Sequence, residues 1–217
     1  MNIAITGANR GIGLELSKQL GQDNLIYALC RNASTELSQL KNVKIIENVD
    51  VKNQESIQKA AEACGQIDVL INNAGILKRV DFNNFDEAII REQWEVNAMG
   101  PLRVTKAFKD NINSPGKVIL ITSRMGSVAD NESGSHYGYR MSKAALNMAG
   151  KSMAIDFKAD NIAVGIIHPG WVQTDMTGHT GHYDVVQAAS QIIDRIKGLS
   201  LSNSGTFWHS DGQILPW

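Results

Sequence analysis

The chain has 217 residues, of which 43% are hydrophobic and 20% are charged, a composition typical of one globular domain with a sizeable core. The formal net charge of -1 excludes the strongly positive surface that nucleic acid or an anionic membrane would require in a partner. Cys30 and Cys64 form no C-x-x-C pattern, and neither a signal peptide nor a transmembrane pattern is present. We therefore expect one domain, residues 1–217, in a cytoplasmic protein without disulfides.

Short apolar segments rich in Ile, Val and Leu alternate along the chain with longer segments of helical periodicity. The apolar segments are Ile3–Thr6, Leu25–Leu29, Val43–Val49, Val69–Ile71, Lys117–Thr122 and Ile162–His168. The helical segments include Gly13–Leu20, Ser56–Cys64, Ile90–Phe108 and Tyr139–Asp156. Strands that are apolar on both faces and alternate with helices indicate a parallel sheet covered on each side. The sequence therefore predicts a doubly wound α/β fold.

The first predicted strand leads directly into a glycine-rich turn and then into a helix. Glycines allow a backbone to turn tightly and to approach a pyrophosphate closely, and free N–H groups at a helix start attract negative charge. This context predicts a dinucleotide-binding site, with a plain glycine-rich turn as the alternative. The candidate cofactor-binding residues of the turn are Gly7, Asn9, Arg10, Gly11, Ile12 and Gly13.

Arg31 follows the second predicted strand, where a site specific for NAD usually carries an acidic residue against the ribose 2′-hydroxyl. A guanidinium can pair with a 2′-phosphate through two hydrogen bonds, and Arg10 could approach the same phosphate from the glycine-rich turn. The sequence therefore predicts a preference for NADP(H) over NAD(H). The alternative is that both arginines are solvated surface charges.

Tyr139 and Lys143 lie four residues apart at the start of an Ala-rich helical segment, so their side chains share one helix face. A phenol ordinarily titrates near pH ~10, and a nearby ammonium lowers its pKa by stabilising the phenolate. We therefore expect Tyr139 to exchange protons with a carbonyl or alcohol oxygen. Tyr137 is the poorer candidate because Met141 stands at its own i+4 position.

Seven segments, in this order along the chain, resemble the short-chain dehydrogenase/reductase family. The segments are Thr6–Gly13, Asp50-Val51, Asn72–Gly75, Asn97, Ser123, the Tyr139/Lys143 pair and Pro169–Thr174. Within that family the sequence is most similar to the small carbonyl reductases of the Sniffer and C-factor type. The resemblance implies a single-domain Rossmann fold with a doubly wound parallel sheet of about seven strands.

The resemblance also implies the roles of four catalytic residues. Ser123 would hydrogen-bond the substrate carbonyl, Tyr139 would be the general acid, and Lys143 would bind the nicotinamide ribose and lower the pKa of Tyr139. Asn97 would hold a water that connects Lys143 to solvent, although a buried Asn that only satisfies backbone groups is the alternative. Ser123 precedes Tyr139 by more residues than the family pattern has, so Ser127 and Ser135 remain candidates for the catalytic serine.

The remaining cofactor contacts are likewise implied by the resemblance. They fall on Asp50, Val51, Asn73, Ala74, Gly75, Pro169, Gly170, Val172 and Thr174, in addition to Tyr139 and Lys143. His168 ends an apolar strand and is expected to pack against the sheet. The histidines show no metal-ligand spacing, so no metal is predicted. The short segment 175–183 is expected to form a mobile lid, with Met176, His179 and Tyr183 near the mouth of an open substrate pocket.

These features predict an NADPH-dependent oxidoreductase that reduces a small-molecule aldehyde or ketone, or oxidises the corresponding alcohol. A dinucleotide-binding regulatory or signalling protein with little turnover is the alternative, since a fold does not fix a function. The resemblance further implies a homodimer or homotetramer that pairs through Ile90–Phe108 and Tyr139–Asp156. In the second of these helices, Ala144, Ala145, Ala149 and Gly150 would permit close approach of a partner. The alternative is that these small residues pack against the sheet.

Overall fold

A computed structural model describes all residues, 1–217, and contains one sheet of seven parallel strands in the order β3-β2-β1-β4-β5-β6-β7. The strands are β1 Asn2–Thr6, β2 Leu25–Leu29, β3 Val43–Ile46, β4 Ile67–Asn72, β5 Ile112–Ile121, β6 Ile162–His168 and β7 Phe207–His209. Both faces of the central strands are apolar, as a sheet covered on each side requires. The predicted doubly wound sheet of about seven strands is therefore confirmed.

Seven helices connect the strands. They are α1 Gly11–Leu20, α2 Thr35–Ser38, α3 Gln54–Cys64, α4 Glu87–Trp94, α5 Gly100–Phe108, α6 Tyr137–Asp156 and α7 Val185–Gly198. One helix predicted over Ile90–Phe108 is in fact α4 and α5 joined by a π-helical turn, Glu95–Met99. None of the helices is both long and apolar enough to cross a bilayer.

Two apolar clusters, one on each face of the sheet, form the core. The larger packs α3, α5 and α6 against the sheet and includes Ile57, Phe108 and Leu146. The smaller packs α1 and α7 against the opposite face and includes Leu16 and Ile192. Burial of such side chains contributes about 1.5–3 kcal/mol each before chain entropy is counted. Two-sided packing leaves the carboxyl ends of the strands as the open edge of the molecule.

The strand order reverses between β1 and β4, because β2 follows β1 on one side and β4 lies on the other. Ligands of open α/β sheets bind in the crevice that such a reversal creates at the carboxyl ends of the strands. Apart from Asn97, which lies in the π-helical turn between α4 and α5, the sequence motifs singled out above follow strand ends at this edge or begin the helices next to it. Cys30 and Cys64 are buried free thiols away from any disulfide.

Candidate active site

A cavity of about 540 Å³ opens at the carboxyl ends of β1, β2 and β4. It brings together most of the predicted cofactor-binding residues, which come from six separate segments of the chain. Those lining it are Gly7, Asn9, Arg10, Gly11, Ile12, Arg31, Asp50, Val51, Asn73, Ala74, Gly75, Tyr139, Lys143, Pro169 and Thr174. Gly170 and Val172 line an adjacent cavity instead, and Gly13 lines neither.

The glycine-rich turn has the geometry of a phosphate cradle. Gly7 has a φ of +66°, and a Cβ there would lie 2.9 Å from Cα of Ala74. A Cβ at Gly13 would lie 2.3 Å from the carbonyl oxygen of Gly7, so Gly13 serves close packing of the turn rather than ligand contact. Arg10 precedes α1 without capping it through its side chain. The first N–H groups of α1 are therefore available to an anion such as a pyrophosphate.

The end of β4 is bonded to the same turn. Oγ1 of Thr6 accepts hydrogen bonds from the backbone N of Asn73 at 3.0 Å and of Ala74 at 3.1 Å. Nδ2 of Asn73 donates to the carbonyl oxygens of Thr6 at 3.0 Å and Gly7 at 3.2 Å. Asn73 thus joins the end of β4 to the glycine-rich turn and fixes the shape of that turn.

The two arginines expected at a 2′-phosphate both line this cavity, but they are held differently. Arg31 is exposed, and its guanidinium has no ion-pair partner in the protein. Nη1 of Arg10 lies 3.1 Å from Oδ2 of Asp175, in an ion pair between two largely exposed side chains. Exposed pairs of this kind contribute about 0–1 kcal/mol, so Arg10 can leave Asp175 at little cost.

Tyr139 lies at the junction of this cavity and a second cavity of about 420 Å³, and it lines both of them. Only 7% of Tyr139 and 4% of Lys143 is exposed to solvent. Lys143 donates from Nζ to the carbonyl oxygen of Ile121 at 3.0 Å, and this Nζ lies 5.7 Å from the centroid of the Tyr139 ring. The i+4 spacing therefore places both side chains in one site, as predicted.

The proton affinities differ from the expectation that Lys143 lowers the pKa of Tyr139. Burial raises the pKa of Tyr139 to about 12, and a hydrogen bond with Ser123 offsets part of that rise. Burial also lowers the pKa of Lys143 to about 8. The physical reason is that both groups leave water, which disfavours phenolate and ammonium alike. Tyr139 therefore keeps its proton at neutral pH, which is the state that a general acid needs.

The structure distinguishes the three candidate serines. Ser123 follows β5, lines the second cavity and lies close enough to Tyr139 to lower the pKa of its phenol. Oγ of Ser127 accepts from the backbone N of Asp130 at 3.1 Å, and Oγ of Ser135 is buried without a partner. Neither Ser127 nor Ser135 lines either cavity. The geometry thus brings Ser123 alone of the three next to Tyr139.

Asn97 lies in the π-helical turn and is fully buried. Its Oδ1 accepts from the backbone N of Ile76 at 2.8 Å, while Nδ2 donates to the carbonyl oxygen of Ile76 at 2.8 Å and to Oγ of Ser142 at 3.1 Å. A Cβ added at Gly75 would lie 3.3 Å from Oδ1 of Asn97 and 3.7 Å from Nζ of Lys143. Asn97 therefore bonds backbone groups close to Lys143, and its expected role in holding a water stays a prediction.

The second cavity contains residues that the sequence did not single out. They are Leu77, Arg124, Met125, Asp130, Ser133, Arg140 and Trp171. Arg124 pairs with Asp130 through Nε and Nη2, and Arg140 donates to Gly134 and Ser135 carbonyl oxygens. The only signal that could have pointed to them is their position near Ser123, Tyr139, the Asn72–Gly75 segment or the Pro-Gly segment.

Of the three residues expected near the mouth of the substrate pocket, the structure places one there. Met176 lines both cavities, whereas His179 is exposed and lies 3.1 Å from Oδ1 of Asp175. Tyr183 packs against the ring of His209 and lines neither cavity, because Gly170 brings the chain close to it. No group of three or more His, Cys, Asp or Glu side chains is arranged to hold a metal ion.

Comparison with known proteins agrees with this geometry. The profile of the family described as short chain dehydrogenase matches residues 1–184. The 1-hydroxy-2-glutathionyl-2-methyl-3-butene dehydrogenase of Rhodococcus sp. is 36% identical, over 99% of both chains. The C-signal protein of Myxococcus xanthus is 41% identical, over 73% of this chain and 98% of that protein.

Two solved structures superpose on the whole chain. The NADPH-bound carbonyl reductase from chicken fatty liver has a TM-score of 0.92 at 28% identity and is covered over 98% of its length. The carbonyl reductase Sniffer of D. melanogaster has a TM-score of 0.92 at 30% identity and is covered over 99% of its length. The resemblance to carbonyl reductases of the Sniffer type is thereby confirmed. The chain belongs to the short-chain dehydrogenase family of oxidoreductases.

Proposed function

We propose that this protein is an NADPH-dependent reductase that converts a small-molecule aldehyde or ketone to an alcohol, with Tyr139 as general acid. One observation carries the proposal. Tyr139 is buried, keeps its proton, lies beside Ser123 and stands on the wall shared by a dinucleotide-sized crevice and a second cavity. A proton donor at such a junction is positioned for a substrate carbonyl that meets the nicotinamide end of the cofactor.

The residues of the larger cavity fit a dinucleotide. The uncapped start of α1 would offer N–H groups to the pyrophosphate, and Asp50 and Val51, which line the same cavity, would border the adenine. Arg31, free of ion pairs, and Arg10, held only by an exposed pair, would bind the 2′-phosphate. Asn73, Ala74, Gly75, Pro169, Gly170, Val172 and Thr174 would complete the site. When bound, NADPH supplies the hydride that reduces the carbonyl carbon.

Side chains of the protein would bind the carbonyl oxygen of the substrate and supply the proton that it takes up. Oγ of Ser123 would donate a hydrogen bond to the carbonyl oxygen, and the hydroxyl of Tyr139 would transfer its proton to the same oxygen as alkoxide charge develops. Lys143 would contact the ribose hydroxyls and return a proton to Tyr139. Asn97 would hold the backbone at Ile76 and so keep Lys143 in place.

We also propose that the single domain carries both cofactor binding and catalysis and acts in the cytoplasm as a homodimer or homotetramer. The two buried free thiols support a reducing compartment. A dinucleotide-binding signalling protein is the second candidate, because the similarity to a protein named C-signal favours it. Sustained turnover with a carbonyl substrate separates the two.

The test is oxidation of NADPH with a panel of aldehydes and ketones, using wild-type protein and the variant Tyr139→Phe. We expect turnover to fall by about 10²–10⁴-fold in the variant, because the ring stays and the proton donor is lost, while the Kd for NADPH changes little. Tyr137→Phe is the matched control, since Tyr137 packs against Phe82 and lines neither cavity. Near-normal turnover in Tyr139→Phe, or none in the wild type with any carbonyl, would contradict the proposal.

A further inference from the structure

The second cavity contains a polar side chain that the reaction above does not use, His168 at the end of β6. Its carbonyl oxygen accepts from the backbone N of Ser210 at 2.8 Å, which fixes the backbone at this position. Its ring stands edge to face against the ring of His209, with centroids 5.0 Å apart. The expected packing against the sheet is therefore present, yet the same ring also forms part of the cavity wall.

Neither ring nitrogen of His168 has a hydrogen-bond partner in the protein. Nδ1 is enclosed, whereas Nε2 is not, and the residue lines the cavity. No hydrogen bond joins this ring to that of His209, whose Nδ1 accepts from the backbone N of Asp211 at 3.2 Å. Nε2 is therefore the ring nitrogen that is open to a hydrogen-bond partner from a ligand.

His168 is neutral in this environment. Burial, followed by the nearby His209 and Arg124, lowers the pKa of His168 to about 3. A neutral imidazole carries its proton on one nitrogen only. If the proton is on Nε2, the enclosed Nδ1 is an acceptor without a donor. If the proton were on Nδ1, the enclosed atom would be an N–H without an acceptor, which costs more. His168 thus directs an N–H donor into the cavity.

Several other polar side chains of the cavity are already bonded within the protein. Arg124 is paired with Asp130, and Arg140 donates to carbonyl oxygens of the loop before α6. Ser123 and Tyr139 are assigned to the reacting carbonyl. Leu77, Met125 and Met176 make much of the rest apolar. Nε2 of His168 is therefore a donor that remains available for a second polar atom of the substrate.

We propose that His168 determines substrate specificity by donating a hydrogen bond from Nε2 to a second acceptor oxygen on the substrate, near the reacting carbonyl. The preferred substrates are then carbonyl compounds with an ether, hydroxyl or further carbonyl oxygen beside an apolar body. This inference rests on the proposed function, since it concerns the substrate of the same site.

The test compares α-methoxyacetophenone with butyrophenone, two ketones of the same shape that differ by an ether oxygen in place of a methylene. The measured quantity is the ratio of their kcat/KM values. We expect His168→Phe to lower this ratio by about fivefold to tenfold, the contribution of one hydrogen bond. His168→Gln should retain most of the ratio, because its amide nitrogen can occupy the place of Nε2, whereas His168→Asn should lose it.

Each variant is also characterised without turnover, by its Tm and its Kd for NADPH. His182→Phe is the matched control, since His182 packs against Trp171 but does not line the cavity, and its ratio should equal that of the wild type. If His168→Phe does not fold, the ratios measured for His168→Gln and His168→Asn test the inference. If the wild type and the Gln and Asn variants had equal ratios of kcat/KM for the two ketones, this inference would be overturned. The proposed function would still stand, because the wild type turns over a carbonyl substrate. Absence of wild-type turnover with both ketones and with the wider carbonyl panel would overturn both.

Discussion

Burial of the Lys143 ammonium in the candidate active site lowers the stability of the fold. Its ammonium is buried and has one protein acceptor, the carbonyl oxygen of Ile121. Burial lowers its pKa from an ordinary 10.5 to about 8, so the folded protein binds this proton less tightly than the unfolded chain does. Between these two pH values the unfolded state holds more protons, and the linkage relation makes stability rise with pH.

The first prediction therefore concerns Lys143→Met. Below about pH 8 the variant should be more stable than the wild type by about 1–3 kcal/mol, because the penalty for a buried charge disappears. The difference should shrink as pH rises towards ~10.5, where the wild-type lysine is neutral in both states. Urea unfolding at several pH values measures it, with the exposed Lys151→Met of the same helix as control. A stability difference that does not depend on pH would refute the argument.

Arg31 carries the second prediction at this scale. Arg31→Asp replaces the proposed partner of the 2′-phosphate with a carboxylate that can accept from a ribose hydroxyl. We expect the ratio of kcat/KM for NADPH to that for NADH to fall by roughly 100-fold, the loss of a paired guanidinium and the gain of a repulsion. Arg91→Asp, exposed on α4 outside the cavity, should leave the ratio unchanged. An unchanged ratio in Arg31→Asp would mean that Arg31 is only a surface charge.

At the scale of elements, the π-helical turn between α4 and α5 sets the position of Asn97. A π-helical turn contains one residue more than the α-helical path, and such turns are frequent at functional sites. Here the turn directs Asn97 inward, where its amide satisfies both backbone groups of Ile76. The loop after β4 is thereby tied to the helix that follows it, next to Lys143.

A third prediction follows for Asn97→Ala. Loss of the amide leaves the N–H and carbonyl of Ile76 without partners and opens a small cavity, so the free energy of unfolding should fall by about 2–4 kcal/mol. Turnover should fall as well, because Lys143 loses its support. Asn111→Ala is the control, since Nδ2 of Asn111 also donates to two carbonyl oxygens, those of Ala61 and Gly65, but away from both cavities. Asn111→Ala should lower stability and spare turnover; equal effects of both variants on turnover would argue against the proposed role.

The sequence predicted elements where local chemistry and tertiary structure agree. Apolar runs with turn residues between them located β1, β2 and β6 within a residue or two, and the glycine-rich turn predicted the start of α1. The sequence pattern did not predict the π-helical turn, because its extra residue has no periodicity of its own. The sequence did not predict the raised pKa of Tyr139 either, because this pKa depends on burial by segments distant in sequence.

At the scale of the whole molecule, the outer face of α6 differs from the sequence expectation. Gly150 faces the sheet, where a Cβ would lie 2.7 Å from Leu120 and 2.8 Å from Ile166, and Ala149 packs against the core. The exposed stripe consists instead of Met141, Met148 and Ile155, which recur every seven residues and are 54%, 68% and 67% exposed. Apolar side chains exposed in a row along one helix indicate an interface.

The last prediction is that this stripe, with the exposed Trp94 and Leu102 of the neighbouring α4 and α5, is covered by a second copy of the chain. Two charges placed in a homodimer face are doubled by symmetry and cannot be solvated once buried. The double variant Met148→Glu/Ile155→Glu should therefore halve the mass measured by light scattering at micromolar concentration, while its circular dichroism stays native. Val128→Glu, at an exposed apolar loop residue, should leave the mass unchanged. A monomeric wild type, or an assembly that survives both charges, would show that α6 does not form the interface.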